Sequence, residues 1–228
     1  LNLLTSTSGT IDVTAGSGAS VTGAITDNTL LEAANLVTTG QVTLTAETGI
    51  GAAGAGDIDT TISLLQATNN TSGDIYIQET SGLTINGTGV RTLAGNGNIN
   101  IDVDDGALTV NSVVTANGDG NITLNADGAT PTTGIVALNA AVSSTSGDIL
   151  ITGEIVNQNA GGTVSTGDAG ANLGTITVIA DNGAITMADA ASAYSQTASG
   201  AINYSATGNV ALNLLTSTSG TIDVTAGS

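Results

Sequence analysis

Residues 97–128 read GNINIDVDDGALTVNSVVTANGDGNITLNADG and contain the clearest strand pattern of the chain. The stretch begins with Gly97-Asn-Ile-Asn-Ile101, and a similar five-residue phrase follows at Gly120-Asn-Ile-Thr-Leu124. Each phrase is a turn residue followed by alternating polar and aliphatic residues, which is typical of a short strand with one buried face. Two weaker strand patterns, at 106–110 and 112–116, lie between the phrases. The stretch therefore predicts a unit built from short strands and tight turns.

The same phrase returns along the whole chain at intervals of 20 to 33 residues. The other copies lie at 9–13, 40–44, 73–77, 147–151, 174–178, 200–204 and 220–224. Two or three short strands in each such interval match the coil of a parallel β-solenoid. A hairpin-built sandwich would need regular two-residue turns and would not explain the shared opening phrase. We therefore predict an all-β parallel β-helix of about eight to nine coils, each with two to three short strands.

The two ends of the sequence are identical. Residues 1–17 and residues 212–228 both read LNLLTSTSGTIDVTAGS, an offset of 211 residues. We interpret 1–228 as a single β-solenoid segment, in which one period covers 1–211 and the next begins at 212–228. Neither end has the sequence of a cap, and an uncapped strand edge recruits further strands. The identity therefore predicts continuation from end to end.

The composition suits a narrow, layered core. The chain has 32 glycines, one proline and three tyrosines, with no Cys, His, Trp or Phe. Its net charge is −18 with one basic residue, Arg91, which argues against binding to nucleic acid or to anionic membranes. No apolar run approaches the length that a membrane span requires, so we predict no membrane-spanning segment here.

Three segments depart from the strand pattern. The small-residue run at 50–56 and the Gly-rich stretch at 157–172 are predicted to be loops on the wall of the solenoid. The segment 30–36 fits either one helical turn or a distorted strand.

The phrases at 73–85, 97–128 and 174–190 resemble the repeats of filamentous-haemagglutinin-like adhesins and of giant β-strand-repeat surface proteins of Gram-negative bacteria. The resemblance covers nearly the whole chain and rests on degenerate patterns. It implies a right-handed parallel β-helix, secretion, and a place in an extracellular fibre or adhesin at the bacterial cell surface.

The acidic residues are the candidates for metal and catalytic sites. Asp102, Asp104, Asp105 and Asp119 are weak calcium candidates, because they are hard oxygen ligands in the densest acidic cluster and a nearby turn. The alternative is that these four carboxylates are hydrated side chains on the outer face and in a turn, and that they bind no metal. Without His, Cys or Lys the usual nucleophile–base pairs are unavailable, so no catalytic residue and no cofactor are predicted, and we expect no enzyme.

These observations favour a structural link in an extracellular bacterial fibre or giant repeat surface protein. Its partners would be copies of itself, joined end to end in one covalent array or as a head-to-tail polymer. The alternative is an adhesin stalk or tip that binds glycans or neighbouring cells. A β-helical polysaccharide lyase or hydrolase is the third class, since some β-helix proteins have these activities.

Overall fold

The computed structural model describes residues 1–16, 22–29, 32–129, 133–167, 174–189, 194–197 and 199–227. These residues form an all-β solenoid of about seven turns, with parallel pairing between all its named strands. The fold prediction of a parallel β-helix is confirmed. The strands, in chain order, are β1 (Leu4–Thr5), β2 (Ile11–Ala15), β3 (Leu36–Ala46), β4 (Ile58–Asn69), β5 (Ile75–Glu79), β6 (Leu83–Thr92), β7 (Ile99–Val103), β8 (Leu108–Val110), β9 (Val114–Ala116), β10 (Ile122–Ala126), β11 (Ile135–Leu138), β12 (Val142–Ser144), β13 (Ile149–Gly153), β14 (Ile155–Gln158), β15 (Val164–Thr166), β16 (Ile176–Ala180), β17 (Ile185–Met187), β18 (Tyr194–Thr197), β19 (Ile202–Ala206), β20 (Val210–Ala211), β21 (Leu214–Ser217) and β22 (Ile222–Ala226).

The strands stack into three faces. Face A contains the opening phrases and runs through β5, β7, β10, β13, β16, β19 and β22. Face B runs from the start of β6 through β8, β11, β14, β17 and β20. Face C runs from the end of β6 through β9, β12, β15, β18 and β21. In the earlier turns one continuous strand, β2 or the second half of β3 or β4, takes the place of faces B and C.

This merging changes the predicted coil count. Seven of the nine phrases lie on face A, whereas those at 9–13 and 40–44 belong to the merged B and C strand. The prediction of eight to nine equivalent coils treated all nine phrases as starts of the same face. The physical reason for the difference is that an alternating strand fits any flat face whose inward residues are aliphatic.

The core consists of aliphatic ladders inside the faces. On face A one isoleucine from each turn stacks on the next, and all but the last are buried: Ile75, Ile99, Ile122, Ile149, Ile176, Ile202 and Ile222. Inward and outward positions alternate in most face A strands, as the period of two predicts. Each turn therefore buries its aliphatic side chains only by resting on its neighbours.

Inward hydroxyl groups close three of the turns at the glycine of the next phrase. Ser144 Oγ accepts a hydrogen bond from the Gly147 N–H at 2.9 Å and donates to the Gly120 carbonyl at 2.7 Å. Thr197 and Ser217 make the same two bonds two and three turns further on, with their own pairs of phrase glycines. The hydroxyl thus connects the starts of two successive turns. Because it both donates and accepts a hydrogen bond, it can be buried without leaving a polar group unpaired.

A second polar ladder runs outside the core, beside the phrase glycines. The side-chain oxygens of Asp74, Asn98, Asn121 and Asp148 each accept the backbone N–H of the corresponding residue one turn later, at 2.7 to 2.9 Å. Asn and Asp follow glycine in the phrase because a short side chain with an oxygen reaches that N–H. These bonds fix the register between turns.

The loop predictions are confirmed in part. Residues 51–57 form a turn between the bridge residue Ile50 and β4. The predicted loop at 157–172 is wrong in part, because β14 extends to Gln158 and β15 lies within the segment, stacked on β12. Residues 168–172 of that loop lie outside the described residues. Residues 32–35 are not helical, and β3 begins at Leu36, while 30 and 31 also lie outside the described residues.

Candidate functional site

The C-terminal edge of the solenoid presents an unpaired strand with apolar side chains. Within the described residues β22 pairs only with β19, and β20 and β21 pair only with the preceding turn. Ile222 and Val224 are inward residues of β22, yet they are 44% and 47% exposed. The equivalent side chains one turn earlier, Ile202 and Tyr204, are buried. This edge therefore carries the inner face of a turn without a covering layer.

The N-terminal edge has the same character. Strands β1 and β2 pair only with β3 among the described strands. Leu3 and Leu4, which lie at this edge, are 58% and 40% exposed. Both edges thus combine free backbone donors and acceptors with exposed aliphatic groups, which is the combination that recruits a further strand.

The two identical 17-residue segments occupy different faces at these edges. The IDVTA strand of the first copy, β2, stacks on Val42–Ala46 of the merged B and C strand. The same letters in the second copy, β22, stack on β19 of face A. Local sequence therefore allows this strand on either surface, and the turn it rests on decides the face.

The four predicted calcium ligands are not brought together. Asp102 accepts a hydrogen bond from Asn125 Nδ2 at 2.8 Å, and Asp104 accepts one from Gln78 Nε2 at 3.0 Å. Asp105 accepts the Ala129 N–H at 3.0 Å, and Asp119 accepts from Ser146 Oγ at 2.5 Å. Each carboxylate therefore bonds to a group on a neighbouring turn, and none of the four belongs to a group of three or more potential metal ligands among the described residues.

A lyase-type site would need a basic residue, here Arg91, beside acidic residues such as Asp102. Arg91 lies in β6 on face C, stacked between Thr68 and Thr115, whereas Asp102 is a residue of β7 on face A. The structure therefore places Arg91 and Asp102 on different faces.

A different acidic group, which sequence reasoning missed, lies near the N-terminal end. Glu32, Asp57 and Asp59 each place a carboxylate oxygen within 4.8 Å of those of the other two. Asp59 is the second residue of β4 and is 8% exposed. Asp57 ends the preceding turn, and its Oδ1 is buried without a hydrogen-bond partner. The available signal in the sequence was the pair Asp57-Ile-Asp59, which lies about one turn of chain after Glu32.

Burial and mutual repulsion perturb this group. Burial, and then the charge of Glu32, raises the pKa of Asp57 to about 6. Burial, and then the charge of Asp57, raises the pKa of Asp59 to about 6. More distant carboxylates act in the same direction, since Asp102 and Asp104 contribute to these shifts. The group therefore lies in a strongly negative part of the surface.

One further acid, Glu79, is completely buried in the core of face A. Its carboxylate accepts the backbone N–H groups of Ile62, at 2.9 Å, and Ser81, at 3.0 Å. It also accepts hydrogen bonds from the hydroxyls of Thr60 and Ser81. Burial raises the pKa of Glu79, while these hydrogen bonds act to lower it. The bonds identify Glu79 as a structural acceptor at the irregular pairing between β4 and the turn after β5.

Replacing Glu79 with alanine is expected to lower the free energy of unfolding by about 2–4 kcal/mol, because the buried N–H of Ile62 and the part-buried N–H of Ser81 lose their acceptor. The matched control is Asp12→Ala, which removes an exposed carboxylate on β2 and should change stability by less than about 0.5 kcal/mol. Urea unfolding followed by circular dichroism measures both. Equal losses in the two variants would contradict the assigned role of Glu79.

Comparison of the chain with family models, with curated proteins and with solved structures finds no match. Among the described residues there is no helix of the length and apolarity needed to cross a membrane. The function must therefore be argued from the surfaces of the solenoid.

Proposed function

We propose that this chain is a structural link of an extracellular bacterial fibre or giant repeat surface protein, which extends by end-to-end stacking of β-solenoid units. The observation that carries the proposal is the exposure of inward residues Ile222 and Val224 on the unpaired strand β22. A strand of a following turn, from the same longer chain or from a second copy, would cover them as β22 covers β19. The extracellular setting is supported by the resemblance to bacterial surface repeats.

The energetics favour stacking along the axis. Full burial of one aliphatic side chain contributes about 1.5–3 kcal/mol. The C-terminal edge exposes Leu214, Ile222 and Val224, and the N-terminal edge exposes Leu3 and Leu4. Joining the two edges would bury these groups and pair free backbone groups at the same time. Because the two edges are different surfaces, such a contact does not close on itself and gives a filament.

Charge opposes contact in the other directions. The net charge of −18 is distributed over about seven turns. Like charges on the lateral faces repel neighbouring filaments, within the Debye length of about 10 Å at 0.1 M salt. Axial association with lateral repulsion is the behaviour required of a single fibre.

The test is assembly of the purified 228-residue chain. We expect concentration-dependent filaments in negative-stain electron microscopy and fast-sedimenting species in the ultracentrifuge. Val224→Asp should abolish both, because it places a charge on the uncovered inner face of β22. Leu150→Asp is the matched control, since Leu150 lies on the lateral surface of face A and is 36% exposed.

Only compact monomers at every concentration would refute head-to-tail association of separate chains. A tandem two-period chain then tests covalent continuation. If the solenoid continues through the junction, amide protons of β22 become as protected from hydrogen exchange as those of β19. Unprotected β22 amides in that chain would refute stacking altogether.

A further inference from the structure

We propose that Glu32, Asp57 and Asp59 form a calcium-binding site that joins two successive turns of the solenoid. Glu32 belongs to the segment that leads from the bridge residue Ile25 to β3, and the two aspartates flank the start of β4 one turn later. The site is independent of the proposed end-to-end stacking.

The burial of Asp59 beside two other carboxylates favours a cation between them. Asp59 is more than nine-tenths buried, and its carboxylate accepts no hydrogen bond in the part of the chain that the structure describes. The buried Oδ1 of Asp57 also has no partner. A buried carboxylate oxygen without a partner, such as Asp57 Oδ1, is costly. The carboxylates of Asp57, Asp59 and Glu32 also repel one another. A divalent cation bound between the three groups would offset both costs.

The surroundings fit calcium. Glu32 and Asp59 line a cavity of about 80 Å³ whose wall also includes Gln78 and Asp104. All of these side chains contain oxygen, the ligand atom that calcium prefers. Calcium takes six to eight oxygen ligands in flexible geometry, whereas magnesium requires a compact octahedron and keeps its waters. Three carboxylates of unequal burial, completed by Gln78 or Asp104 and by water, match the calcium requirement.

Calcium at this point would act as a clamp. It would hold the segment that contains Glu32 against the turn before β4, beside the bonds that already connect these two turns at Asn35. Among these bonds is that from the Asp59 N–H to Asn35 Oδ1, at 3.1 Å. We therefore expect calcium to raise the unfolding temperature of the intact chain.

Isothermal titration calorimetry of the full chain, stripped with a chelator and titrated with calcium chloride, tests the proposal. We expect one site per chain. Asp59→Asn and Glu32→Gln should each weaken binding by about tenfold or more, because each removes one charged ligand. Asp119→Asn is the matched control, since it removes the same charge from an exposed turn far along the chain, and it should change affinity by less than about twofold.

Glu32 is exposed, so Glu32→Gln should leave the fold intact, as circular dichroism will show. Calcium should raise the unfolding temperature of the unmodified chain and of Asp119→Asn, and not that of the two ligand variants. Absence of saturable binding up to about 10 mM calcium would overturn the proposal, since functional sites bind more tightly. Equal weakening by Asp119→Asn would also overturn it, as would magnesium binding as tightly as calcium.

Discussion

Gly147→Ala is expected to destabilise the solenoid by about 3 kcal/mol or more, because the added methyl group has no space between two turns. A β-carbon at Gly147 would lie 2.5 Å from the carbonyl carbon of Gly120 and 2.7 Å from the carbonyl oxygen of Asp119. Both obstacles are backbone atoms of the turn before, and they cannot move without opening the ladder. Thermal and urea unfolding monitored by circular dichroism measure the loss.

The matched control for Gly147→Ala is Gly82→Ala. A β-carbon at Gly82 would have its nearest neighbour, the Ala107 carbonyl oxygen, at 3.4 Å, which is ordinary contact. We expect a change of less than about 1 kcal/mol for this variant. An equal decrease in the free energy of unfolding for both variants would contradict this explanation. It would mean that the phrase begins with glycine for a reason other than the close approach of successive turns.

Ile151→Ala is expected to lower the free energy of unfolding by about 2–5 kcal/mol, the usual cost of truncating a fully buried isoleucine. Ile151 is buried inside face A and stacks between Leu124 and Val178. The cavity would interrupt a ladder that neighbouring turns share, so little collapse can fill it. Urea denaturation at neutral pH gives the value.

The adjacent residue provides the control for Ile151→Ala. Leu150 points outward on the same strand and is 36% exposed, so Leu150→Ala should cost less than about 1 kcal/mol. A larger loss at position 150 than at position 151 would mean that the inward and outward positions of β13 are reversed.

The recurrence of the phrase made the fold predictable. Alternation in phrases such as 99–103 identifies Ile99, Ile101 and Val103 as inward residues, and all three are buried. In seven of the nine phrases the shared opening glycine marks equivalent positions on face A, whereas the phrases at 9–13 and 40–44 lie on the merged B and C strand. The phrase pattern predicts that this glycine is a turn residue. At Gly147, however, glycine is needed because the turn before leaves no space for a β-carbon.

The acidic site was not predictable in the same way. Density of acidic residues along the chain selected Asp102, Asp104, Asp105 and Asp119, which hydrogen-bond to neighbouring turns instead of forming one site. The group that does converge combines residues from two turns. Its members are close only because the chain returns to the same place after one turn, and that distance depends on how the intervening segment is folded.

The alternation of polar and aliphatic residues was enough to predict that aliphatic side chains face inward at every second position and that the turns must stack to bury them. The face that each strand occupies could be seen only in the folded chain. The clearest case is IDVTA, which forms part of the merged B and C surface as β2 and part of face A as β22. The reason is physical: alternation fixes which side of a strand is buried, while the strand beneath, through its hydrogen bonds and its ladder of side chains, fixes where that strand lies.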